Sequence, residues 1–280
     1  MPGFSVQPSN HARGTPTGAN GGTEFLLSTL NPRGFADNRL QLWSLTNTNS
    51  LRGNAPTLTL ATHTLTTEAY IQTNVVPQKN GPTPLRNALN QHDHLGDPLE
   101  TLDPGDLRMQ QVIFAGGKLY AAMSTLLLKP SGGTRNGVAW FVIHPGAAIL
   151  PLKATVTAQG YLAAVNIYLM YPAIAVNSSG EGVIGFSMSS KAIFPSAGYS
   201  RFLGTSTENV IHLAFPGAAP EDGFSGYFEF GGNGVARWGD YSASTVAPDG
   251  TLWFADEYIP NLPRTTFTNW GTAIGALAAP

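Results

Sequence analysis

The chain has 280 residues, with 15 Lys+Arg against 17 Asp+Glu and only 11% charged residues, which excludes an electrostatic footprint for nucleic acid or anionic lipid. It contains no cysteine, so disulfide staples, thiolate metal sites and a cysteine nucleophile are excluded as well. Its 32 Gly and 21 Pro disfavour long helices and favour turns, leaving short strands with frequent reversals in one large all-β domain. No run of about 18 apolar residues marks a membrane span. The start, Met1-Pro2-Gly3-Phe4, lacks the basic and apolar regions of a signal peptide. The abundance of Thr, Ser, Asn and Gly is the composition of extracellular bacterial β proteins, so an extracellular or cell-surface location is expected, with any leader absent from this chain.

In chain order, the first unit (residues 4–76) reads as strands at Thr23–Leu30 and Asn38–Leu45 with an outer strand at Thr57–Thr62, and it shows no innermost strand of its own. Residues 77–107 are rich in Pro, Asn, Asp and Gly without periodicity, the signature of a long surface excursion. Its acidic residues Asp93, Asp97, Asp103 and Asp106, with Glu100, are candidate calcium ligands, because clustered hard oxygens suit that cation, although the spacing is not that of an EF-hand. His92 and His94 alternate as on a strand but have no third ligand in reach.

The second unit (107–165) opens with the hairpin Arg108–Met123, turning at Ala115-Gly116-Gly117, and continues with strands at Asn136–Ile143 and Ala154–Gln159. The third (169–235) repeats the pattern as Tyr171–Ser187, turning at Asn177-Ser178-Ser179-Gly180, then Tyr199–Leu203. In the last (236–280) the hairpin is Asp240–Glu257, turning at Pro248-Asp249-Gly250, and the third strand is Asn269–Ile274. From Gly117 to Gly180 is 63 residues and from Gly180 to Gly250 is 70. Such a period suits four strands plus long loops, so the expected fold is a β-propeller of four-stranded antiparallel blades, about four of them visible. The ring is either closed by four blades, or part of a larger ring, or completed by self-association. Trp43, Trp140 and Trp270 fall at equivalent third-strand positions and are expected to pack between blades.

The stretches Gly21–Ser28, Asp106–Gln111, Tyr171–Asn177, Trp238–Ser242 and Pro248–Phe254 resemble those of bacterial secreted propeller proteins labelled BNR-repeat or sialidase-like. The resemblance implies the propeller fold, and implies that the chain corresponds to the C-terminal part of a larger propeller. It does not extend to the chemistry: the Asp-box Ser-x-Asp-x-Gly-x-x-Trp is absent, since Asp249 directly precedes Gly250, and no arginine triad can be placed.

In a propeller the start of each innermost strand meets the end of the second strand at one mouth of the channel. That geometry gathers Arg237, Asp240, Tyr241, Asp256, Glu257 and Tyr258 from the last unit, Arg108 from the second, and Tyr171, Lys191, Tyr199 and Arg201 from the third. Asp240, Glu257 and Tyr241 are the candidate catalytic groups; Arg108, Arg201, Arg237, Tyr171 and Tyr258 are the candidate ligand-binding ones. Asp256 and Glu257 must point to opposite faces of their strand, and Glu257 is expected to face Asp240. Three functions follow: a module binding a glycan or other polymer, a glycoside hydrolase or lyase using the same carboxylates, and a structural repeat.

Overall fold

The computed structural model describes residues 4–11, 21–89, 98–128, 133–147 and 150–278. In the first unit β1 (Phe4–His11), β2 (Thr23–Thr29), β3 (Ala36–Thr46) and β4 (Thr59–Ile71) run antiparallel in that order. The innermost strand that the sequence does not show is therefore present as β1. Its signal is weak because Ser9, Asn10 and His11 are polar, Pro8 contributes no ladder N–H, and the register shifts where Ser5 takes a φ of 52°.

The excursion carries a short helix α1 (Pro84–Leu89) and the two-residue strand β5 (Thr101–Leu102). The second unit is β6 (Gln111–Ala115), β7 (Lys118–Leu128), β8 (Thr134–His144) and β9 (Thr155–Leu162); β6 lies parallel to β1, joining two blades into one eight-stranded sheet. The third is β10 (Tyr168–Val176), β11 (Glu181–Ser189), β12 (Ser196–Leu203) and β13 (His212–Phe215). After β14 (Val235–Ala236), which pairs in parallel with β5, the last unit is β15 (Ala243–Val246), β16 (Leu252–Tyr258) and β17 (Gly271–Leu277). This is a β-propeller of antiparallel blades, the last with three strands among the described residues.

Strand alternation builds the core between successive blades. Leu119, Ala121 and Met123 of β7 pack with Phe25, Leu27, Leu40 and Leu42 of the first unit. Tyr120 and Ala122, one residue out of phase, pack instead with Ile174, Ile184, Phe186 and Phe202 of the third. Val183 repeats the arrangement against Leu252 and Phe254 of the last. Trp140, buried on β8, meets the edge of Phe202 at 5.2 Å, the inter-blade packing expected of it. Trp270 does not pack so: it stands just before β17, 52% exposed, because the strand begins only at Gly271.

The described parts of the excursion are held by packing. Val76 and Leu102 join Met170, Tyr171, Trp238 and Ile259 in a separate apolar cluster, and the carboxylate of Asp222 accepts the N–H groups of Leu85 and Arg86 at the start of α1 (2.8 and 3.0 Å).

Candidate functional site

Between the last blade and the loop around Phe224 lies a cleft of about 590 Å³ whose walls include Arg237, Asp240, Tyr241, Glu257, Trp270 and Phe224. The segment Arg237–Ser242 lines it as irregular chain with a bend at Asp240, anchored by Trp238, which is fully buried, and by the Arg237 N–H donating to Ser225 Oγ at 2.9 Å. Immediately after it β15 begins, at Ala243 rather than at Asp240. Asp240 and Tyr241 are therefore held on a loop leading into the innermost strand, while Glu257 sits at the end of β16, the strand paired to β15.

Alternation along β16 separates the two acids. Asp256 shares the face of Leu252 and Phe254, turned toward the third blade, where Gly185 lies against its carboxyl. It is fully buried with no well-formed hydrogen bond to either oxygen, and burial pushes its pKa up to about 8, the nearby Ser242 hydroxyl opposing the rise. Glu257 points the other way and accepts the backbone N–H of Gly239. A Cβ at position 239 would press on the Glu257 carboxylate and displace it from the Gly239 N–H. Burial raises the Glu257 pKa to about 7, Gly239 opposes, and the charges of Glu221 and Asp240 add to the rise.

At the mouth, Arg237 pairs with Asp240 (2.5 Å) and Arg108 grips Asp106 through two nitrogens (2.7 and 2.9 Å) while donating to the Tyr241 hydroxyl at 3.1 Å. Tyr171 lies behind them, buried, on a bulge of β10 where its own φ is 49°. Its hydroxyl donates to the Asp103 carbonyl (3.0 Å), its ring rests against Gly105, and burial, with Asp103, Asp240 and Glu257 nearby, raises its pKa. The second, third and last units thus each bring a residue to the same corner.

Other sequence candidates lie elsewhere. Arg201 stands on β12 opposite Val183, its backbone N–H donating to Glu208 at 2.7 Å, and does not line the cleft. Tyr258 follows the Asp256 face and packs on Phe215 (6.0 Å between ring centroids). Tyr199 stacks on His212 at 4.7 Å, and Lys191 borders a separate pocket beside Glu100. Of the calcium candidates, Asp93 and Asp97, like His92 and His94, lie outside the described residues. Asp103 accepts the Gly105 N–H (2.9 Å), and Asp106 is committed to Arg108. No cluster of three or more metal-ligating side chains occurs among the described residues.

A buried acid network behind the cleft was not visible in the sequence. Glu100 from the excursion and Glu221 from the cleft wall are each 1% exposed and in contact, both with pKa values raised chiefly by burial, Glu100 to about 11. Asp222, beside them, is instead fully partnered: it pairs with Arg264 and accepts the Tyr227 hydroxyl at 2.6 Å. Gln78 ties the layers together, donating to the Glu100 and Glu221 carbonyls (2.9 and 3.1 Å) and accepting the Glu221 N–H (2.7 Å). The tandem Glu221-Asp222 in a Gly-rich loop was the one available signal.

No protein-family model matches the chain, and no curated protein matches it. Among solved structures it is similar to a mutant α-L-arabinanase of Cellvibrio cellulosa at 11% identity and a TM-score of 0.36, covering 99% of this chain and 72% of that one.

Proposed function

We propose that this protein is an extracellular propeller module that binds a glycan or other polymer at the channel mouth. The observation that carries the reading is the composition of one cleft: exposed rings of Tyr241, Trp270 and Phe224 stand beside the carboxyl groups of Asp240 and Glu257 in a volume of about 590 Å³. Ligand sites of this size combine apolar walls with a few placed polar groups, and sugar rings offer an apolar face to stack and hydroxyls to bond. The test is titration of tryptophan fluorescence with oligosaccharides. Trp270→Ala and Asp240→Asn should remove the response while the melting temperature holds; an unchanged response in both variants places the site elsewhere.

A second reading, a glycoside hydrolase or lyase at the same cleft, is favoured by one specific observation. Glu257, with its pKa near 7, can hold a proton at neutral pH beside an Asp240 held by Arg237, the acid-and-carboxylate division that glycoside cleavage uses. In that reading Tyr241 orients the reacting sugar, and Arg108, Arg237 and Tyr171 support the mouth. Release of reducing ends that is lost in Glu257→Gln with binding retained separates this reading from pure binding.

A further inference from the structure

We propose that the cleft selects a neutral oligosaccharide over an acidic one, and that an aromatic ridge running out of it carries the further sugar rings. This rests on the glycan reading above. Recognition of a carboxylate sugar needs an arginine fork open to the ligand. At this mouth both cations are already offset by aspartates: Arg108 holds Asp106 through two nitrogens (2.7 and 2.9 Å), and Arg237 spends one nitrogen on Asp240 at 2.5 Å, its charge balanced by that carboxylate. No lysine lines the cleft among the described residues, whereas Asp240, Glu221 and Glu257 do. An anionic ligand entering there finds no uncompensated cation, meets the Asp240 carboxylate as like charge, and meets in Glu221 and Glu257 groups that cannot neutralise it, which acts as rejection. A neutral sugar meets complementary chemistry, because each hydroxyl both donates and accepts, as a carboxyl pair requires.

The ridge supplies length. Phe224 lines the cleft, and its backbone N–H bonds the Phe267 carbonyl at 2.9 Å. Phe230 meets the edges of both Phe224 and Phe267, with centroids 5.9 and 5.6 Å apart. The three rings are 45%, 42% and 49% exposed, an unusual outlay of aromatic surface to leave in water. Because Phe230 and Phe267 are outside the cleft wall, a ligand of one or two rings would fill the cleft without reaching them, while a longer chain would lie across them.

Calorimetric titration with a neutral gluco- or xylo-disaccharide and hexasaccharide, an oligogalacturonide and sialyllactose tests both parts. Neutral hexasaccharide should bind, and the two acidic probes should bind at least tenfold more weakly. Phe230→Ala, at an exposed position where the fold tolerates change, should weaken hexasaccharide binding roughly tenfold, the contribution of one stacked ring, and leave the disaccharide unchanged. Tighter binding of an acidic probe overturns the neutral preference while leaving glycan binding in place. Equal effects of Phe230→Ala on both neutral lengths overturn the ridge. Failure of every probe to bind removes the glycan reading itself, and the preference with it.

Discussion

Replacing Glu100 with Gln should flatten the dependence of stability on pH. Glu100 and Glu221 are buried against each other, so both cannot ionise without two uncompensated charges, and the native pair keeps a proton that the unfolded chain, titrating near the ordinary glutamate value of 4.5, has released. A group whose folded pKa is raised binds more protons native than unfolded, so its contribution is fully present below about 4.5 and is lost as pH rises toward the folded value. For Glu100, raised to about 11, the whole interval from pH 5.5 to 7.5 lies in that window. One such proton costs about 1.4 kcal/mol per pH unit, hence about 2.7 kcal/mol across the interval, a sizeable share of the roughly 5–15 kcal/mol that holds a domain folded. Glu257 and Asp256, also raised, act with the same sign but cancel when variant and parent are compared. The Gln amide can donate to Glu221 as the shared proton did, so Glu100→Gln should lose about 1.4 kcal/mol per unit of slope and gain on the parent as pH rises. Urea titrations at pH 5.5 and 7.5 measure this. Parallel slopes for the two proteins would show that Glu100 is ionised in the native state and refute the reasoning.

Further outcomes follow from the same geometry. Asp240→Asn should change stability by less than about 0.5 kcal/mol in thermal melts, because the Arg237–Asp240 pair is largely exposed, while ligand response is lost; unfolding of the variant would assign Asp240 to structure. Gly239→Ala should cost about 1–3 kcal/mol, since the new Cβ collides with Glu257, and denaturant titration reads it. Trp140→Ala, emptying the interface with Phe202, should cost about 3–5 kcal/mol by the same assay. Calcium on the excursion through Asp93, Asp97, Asp103 and Asp106 would show as a melting temperature lowered by excess chelator, and an unchanged one removes that proposal.

The blades were legible because their turns are chemically explicit. Gly116, Gly117, Gly180 and Gly250 all take positive φ, between 54° and 89°, where glycine is the natural residue, and the apolar strands flanking them have nowhere else to go. β1 was not legible, since a strand built from polar residues and a proline gains its place from pairing with β2 and β6 rather than from its own pattern. At the site, hairpin topology brought Asp240, Tyr241 and Glu257 to one cleft, and strand alternation separated Glu257 from Asp256. The same alternation carried Tyr258 away to Phe215, and Arg201 lies too far along β12. The Glu100–Glu221 contact joins the excursion to the loop between β13 and β14 across a long stretch of chain, and no local pattern records such a meeting.

The most direct test is a crystal structure of the protein with a bound neutral hexasaccharide. The account predicts a sugar ring stacked on Tyr241 or Trp270, its hydroxyls within hydrogen-bond reach of Asp240 and Glu257, and the chain continuing over Phe224 and Phe230. A ligand seated on another face, with this cleft holding none of it, would contradict the account.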